Sequence, residues 1–192
     1  MIGTRDQRRA ARAIDEFLHA LGFSTDGELS QTGALVAKAW DEDLLQGEGV
    51  PLAPLIRSGC LDLGEGPHGI AGLRGIDVTS MCPHHLMPSH GSATVAYLPD
   101  RLAPGLGKVS QLVHTASRRL VLQETLGLEI AKALCDGLGA RGALCRLEMS
   151  HTCLISRGER QSRAIFDTVA FAGSFNEDCS DRSLVLAWLN AA

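Results

Sequence analysis

Residues 69–100, GIAGLRGIDVTSMCPHHLMPSHGSATVAYLPD, decide how this chain folds. β-Branched residues bounded by turn formers predict two strands, one over 69–82 and one over 91–99. Between them lies a short polar connection, Cys82-Pro83-His84-His85, with a further histidine at His90. Downstream, Val109, Leu112, Val113, Ala116 and Leu120 share one helical face, which predicts a helix over 108–119. Leu126, Ile130, Ala131, Leu134 and Leu138 predict another over 122–138, ended by Gly139. GALCRLEMSHTCLI (142–155) follows as a strand, with Cys145, Leu147, Met149, His151 and Cys153 on one face. A last strand is expected over 163–173, and DRSLVLAWLN (181–190) as a terminal helix.

Upstream, Ala10, Ile14, Phe17, Leu18 and Leu21 give a helix over 7–21 with Gly22 as its C-cap. A second helix is expected over 31–46, and the Gly- and Pro-rich stretch 47–69 reads as mostly irregular. The order is two helices, then β-β-α-α-β-β, then a helix. Strands do not alternate singly with helices, so the fold class is α+β with antiparallel pairing. The chain divides into an N-terminal helical arm with its connection (1–66) and a main domain with the C-terminal helix (67–192). There is no internal repeat of 20–50 residues.

Composition narrows the function. With 45% apolar and 21% charged residues, the 192-residue chain can bury a core. Aromatics make up only 4%, so that core rests on aliphatic residues. A net charge of −4 without a basic block disfavours nucleic acid, because phosphate neutralisation needs clustered Lys and Arg. Charges interrupt the first 23 residues, and no apolar run approaches the roughly 18 residues of a membrane span. A cytoplasmic protein is expected. The six scattered cysteines then read as reduced thiols, some of them available to a metal.

Two clusters carry chemistry: C-x-H-H at 82–85 and H-x-C at 151–153. Each offers thiolate and imidazole, the donors Zn²⁺ prefers, and neither has the spacing of a zinc finger. Three protein ligands and an open fourth position would make a catalytic site. Neighbours on an extended backbone point apart, so of His84 and His85 one is expected to ligate and the other to move protons. The same choice is open for His151 and Cys153. Cys60, Cys135, Cys145 and Cys179 read as packing residues. PGLGK (104–108) places Lys108 before a helix, where backbone N–H groups favour anions. Arg118, Arg119, Gln123 and Glu124 read as a solvated helix face. SRGERQSR (156–163) is either a charged turn or an anion clamp built on Arg157, Arg160 and Arg163.

Taken together, CPHHLMPSHGSATVAYLPD, GLGK, RRLVLQETL, EMSHTCLISRG and the closing GSF resemble the GTP cyclohydrolase I family in order and interval. The match runs from about Arg74 to Phe175, with a weaker one at TGALVAKAWDEDLL. The resemblance implies a tunnelling (T-) fold whose β-β-α-α-β-β subunits close into a barrel, a homo-oligomer such as a decamer, and active sites where subunits meet. Carried over by position, Cys82, His85 and Cys153 would hold Zn²⁺, and His84 and His151 would serve as the catalytic histidines. Glu124, with Gln123 nearby, would recognise the guanine edge. Lys108 and Arg157 would contact the triphosphate, and Ser80 would stand behind the metal group. The implied reaction opens the imidazole ring of GTP at C8, releases formate and gives 7,8-dihydroneopterin triphosphate, as in tetrahydrofolate-type pterin biosynthesis, a setting in which allosteric control also occurs. The chain departs from the family pattern at Pro83, Gly107, Gln111 and Leu35. Those departures leave two alternatives: a divergent zinc hydrolase acting on another purine-like or less phosphorylated substrate, and a non-catalytic zinc-stabilised assembly. His90 falls outside the expected site.

Overall fold

The computed structural model describes residues 3–66, 68–177 and 179–191. The N-terminal part contains α1 (Gln7–Ala20), α2 (Thr32–Ala39) and α3 (Leu52–Arg57). Then come β1 (Leu61–Asp62), β2 (Ala71–Met81), β3 (Pro88–Leu98), β4 (Leu102–Ala103), α4 (Leu106–Ser117) and α5 (Gln123–Leu138). β5 (Gly142–His151), the single turn α6 (Thr152–Ile155), β6 (Phe166–Gly173) and α7 (Ser180–Asn190) complete the chain. The four long strands form one antiparallel sheet in the order β2-β3-β5-β6, and β1 pairs with β4 in a small separate ladder. The α+β class and the β-β-α-α-β-β order are therefore as the sequence predicts.

The alternation read from the sequence explains the packing. Ile76, Val78, Ala93, Val95, Cys145, Leu147 and Met149 are buried on one face of the sheet. Leu112, Val113 and Ala116 of α4 and Leu126, Ile130 and Leu134 of α5 cover them in one cluster. Each of the Ile, Val, Leu and Met side chains among them contributes on the order of 1.5–3 kcal/mol of transfer free energy. On the opposite face, Ala96, Leu98 and Leu144 are covered at one end by Phe175 and by Val185 of α7. Gly139 ends α5 at φ 68°, the left-handed conformation a C-cap favours. Gly75, at φ 67°, sits in the irregularity that shifts the β2–β3 register between Leu73 and Ile76.

Four boundaries differ from expectation, each for a local reason. The helix expected over 31–46 stops at Ala39 and continues through Leu44 as a wider π turn. There Arg5 donates to the carbonyls of Asp41 and Leu45, the first of which a regular helix would have used internally. The stretch 47–69 is not wholly irregular: it holds α3, whose Ile56 is fully buried against α5 at Gly137. α4 begins at Leu106, so Lys108 lies within its first turn rather than ahead of it. β6 begins at Phe166, because Ala164 N–H bonds Gln161 C=O in a preceding turn. Pro67, where the arm was expected to give way to the main domain, lies outside the described residues.

The fifth difference matters most for the site. The strand expected to run through Cys153 ends at His151. Ser89 pairs with His151, so the next residue on the neighbouring strand is Pro88, which has no N–H to donate. Thr152 instead donates its hydroxyl to the Pro88 carbonyl at 2.6 Å, and the chain turns into α6. His151 and Cys153 are thus not neighbours on one strand face. One ends a strand and the other lies on a helical turn.

Candidate active site

The cleft is assembled at the ends of β2, β3 and β5. Cys82 leaves β2 and enters a tight loop. Its N–H donates to Met87 C=O at 3.0 Å, and its own C=O accepts from Leu86 N–H at 2.9 Å. Leu86 takes a left-handed conformation, φ 52°, unusual for a residue with a branched side chain. This loop turns the two adjacent histidines apart, with ring planes at 79°. His85 faces Cys82, with Nδ1 3.9 Å from Sγ. α6 brings Cys153 to the same point, so that one donor atom from each of Cys82, His85 and Cys153 lies within 4.8 Å of the others.

Two thiols and an imidazole are a donor set suited to Zn²⁺. Tetrahedral donors around that ion stand roughly 3.5–3.8 Å apart, so a small contraction of the group fits it. Three protein donors leave a fourth position open. Burial raises the Cys153 thiol above its ordinary range, and the neighbouring Cys82 raises it further. Arg157 approaches from the exposed side, with Nη1 2.7 Å from His85 Nε2.

Around this group is an open cleft of about 320 Å³. Of the residues that the family resemblance assigns to the site, all line it except Lys108 and Arg157. Its apolar walls are Val121, Leu122, Leu154 and Phe166, which suit a flat heteroaromatic ring. Glu124 is exposed at the start of α5, and Ser80 is buried behind the loop. His151 is held at both ring nitrogens: Nδ1 lies 2.9 Å from Ser89 Oγ and Nε2 lies 2.8 Å from Gln123 Oε1. Burial lowers its pKa, against the pull of the Glu124 carboxylate, and so favours the neutral ring. His90, one residue beyond Ser89, is exposed.

Three placements differ from a simple reading of the motifs. Gln123 is buried in the cleft wall, and its amide nitrogen is spent on Leu147 O, Phe166 O and Thr168 Oγ1. Lys108 lies outside the cleft, near the N-terminus of α4, and donates to Gln111 Oε1 at 3.1 Å. Ser89 was not anticipated. It lies ahead of the strand expected from residue 91, and only the pairing of β3 with β5 places it opposite His151.

All six cysteines are free. Burial pushes Cys145 up to about 12 and Cys135 up to about 11, which keeps both as inert thiols. No helix among the described residues is long and apolar enough to cross a membrane.

Residues 10–190 match the family model described as GTP cyclohydrolase I. The chain is 34% identical over 176 residues to the GTP cyclohydrolase 1 of Chromobacterium violaceum, covering 91% of this chain and 84% of the relative. It is 37% identical over 165 residues to that of Gloeobacter violaceus, covering 84% and 76%. The GTP cyclohydrolase 1 of Mycobacterium ulcerans is 37% identical over 184 residues, covering 94% and 89%. The family model spans nearly the whole chain, and each relative is matched over most of its own length. This chain belongs to the GTP cyclohydrolase I family of enzymes.

Proposed function

We propose that the chain is a zinc-dependent GTP cyclohydrolase I, opening the guanine imidazole ring at C8 with release of formate and formation of 7,8-dihydroneopterin triphosphate. The observation that carries this reading is the meeting of Cys82, His85 and Cys153 in one cleft with Glu124 and His151. Bound by the three, Zn²⁺ supplies Lewis acidity that brings the pKa of water towards neutrality. The Glu124 carboxylate accepts from the guanine ring N–H and exocyclic amine, which selects guanine over adenine. His84, next to the metal group but not in it, exchanges a proton with N7 as the ring opens. The apolar walls hold the base flat, and Arg157 meets the phosphates at the open side.

Lys108 reaches the phosphates of a substrate bound to a neighbouring subunit, so the working form is a homo-oligomer, a decamer by family resemblance. Residues 1–66 act as an arm and 67–192 as the catalytic domain, in a cytoplasmic enzyme. The test is incubation of the zinc-loaded protein with GTP, following formate release and the pterin absorbance. Absence of both products would end this reading.

Two expected results follow from the residues. Glu124→Gln removes one charged acceptor, and kcat/KM for GTP should fall about 10–100-fold with metal content unchanged. Zinc binding should strengthen with pH. The raised Cys153 thiol is protonated near neutrality and must lose that proton to ligate. Affinity should therefore rise by at least about tenfold per pH unit between roughly pH 6 and pH 8, as measured by competition with a chelating indicator.

A second reading is favoured by one contact. Lys108 spends a donor on the neutral Gln111, and no arginine stands at that position to add charge. A guanine nucleotide with fewer phosphates would suit such a site. Faster turnover of GMP than of GTP would select this reading.

A further inference from the structure

Gln123 is 5% exposed, and every polar atom of its carboxamide is used. Its Nε2 lies 2.8 Å from Leu147 O, 2.9 Å from Phe166 O and 3.0 Å from Thr168 Oγ1. Two of these partners are backbone carbonyls, which only accept. The amide nitrogen must therefore face them, and the carbonyl oxygen must face His151. Oε1 in turn only accepts, so the hydrogen bond to His151 Nε2 at 2.8 Å requires a proton on Nε2. In the neutral ring Nδ1 is then the bare nitrogen, and it accepts from the Ser89 hydroxyl at 2.9 Å.

The chain of constraint runs from the backbone of β5 and β6, through one buried amide, to one ring. Ser89 also lines the cleft, whereas the Gln123 amide nitrogen is occupied by Leu147 O, Phe166 O and Thr168 Oγ1. A carboxamide so engaged has no donor left for a guanine edge.

We infer that Gln123 is a positioning residue, which fixes His151 as the Nε2–H tautomer and turns Nδ1, through Ser89, towards the cleft. This rests on the proposed cyclohydrolase reading for its catalytic consequence, though not for the tautomer itself. The lone pair at Nδ1 is thereby directed to the Ser89 hydroxyl, which lines the cleft. A ring held the wrong way round loses the productive lone pair, a fault that costs far more in kcat than in substrate binding.

The test uses the zinc-loaded protein with ¹⁵N-labelled histidine, the His151 signals being identified by their loss in His151→Asn. The wild type should show the Nε2–H tautomer pattern. Gln123→Met should abolish the fixed tautomer and lower kcat about 100-fold, with KM for GTP within about threefold. Gln123→Glu reproduces the wild-type arrangement only as the neutral acid, whose O–H donates to the Leu147 or Phe166 carbonyl while its C=O accepts from His151 Nε2, and in that form it should restore the tautomer and part of kcat. An Nδ1–H pattern in the wild type overturns the inference, even if Gln123→Met does not fold. So does a rise in KM with kcat preserved, which would return Gln123 to the guanine edge. The NMR readout needs no substrate. A protein inert towards GTP that still showed the tautomer and its loss would sink the proposed function and leave the positioning of His151 standing.

Discussion

Cys153→Ala is expected to lose its metal and nearly all of its turnover together. The wild type should hold about one zinc ion per chain and the variant under about a tenth of that, by atomic spectroscopy after gel filtration. Cys153 is one of three donors, and it sits on a single helical turn rather than in the core. It is only partly buried and faces the open cleft, so the defect should be confined to the metal. Without a third protein donor the ion is held by Cys82 and His85 alone, and loss of water activation should cost roughly 1000-fold or more in rate. Stability provides an independent check, since a metal that binds only the folded state raises its melting temperature. The variant should therefore melt where the chelator-treated wild type melts, with or without added zinc. Full activity in metal-free protein would remove the metal from the mechanism, and a variant that kept its zinc would remove Cys153 from the ligand set.

The clusters C-x-H-H and H-x-C are legible in the sequence as thiol and imidazole donors, but their spacing leaves the choice within each pair open; the family resemblance singles out Cys82, His85 and Cys153, the three that the fold brings together. Periodicity likewise exposed the sheet and its two covering helices, since Leu126, Ile130 and Leu134 or Cys145, Leu147 and Met149 recur with one period each. What periodicity cannot convey is pairing between distant segments. Pro88 ends β5 by failing to donate across the sheet, a fact about strand register that the run SHTC does not contain. Ser89 gained its place opposite His151 in the same way. Gln123 was noticed for its type and neighbourhood, but its direction is set by Leu147, Phe166 and Thr168, more than twenty residues away. Ile56 was hidden for another reason. A six-residue helix offers too few positions for a period to emerge, and the surrounding Gly and Pro residues mask it.

Under the proposed function, Lys108 serves the cleft of a neighbouring subunit. From Lys108 to Ser117 α4 runs roughly 14 Å, and only beyond its far end does the chain meet the cleft, where Leu120 bridges Met81. Lys108→Ala should therefore weaken catalysis without touching the zinc of its own subunit, with kcat/KM for GTP down about 100-fold and metal content intact. A shared site predicts more than loss. Lys108→Ala chains retain a working metal group, and Cys153→Ala chains retain a working Lys108. If both are unfolded and reassembled together in equal amounts, half the metal groups are competent and half of their neighbours carry Lys108. About a quarter of the sites should then be complete, although each parent alone is nearly inactive. Recovery should track the extent of subunit mixing and vanish when the two proteins are combined only after assembly. If co-assembled subunits recover nothing, Lys108 works within its own chain or not at all on the substrate. Recovery to the expected fraction would tie the head of α4 in one subunit to the Cys82–His85–Cys153 cleft of the next.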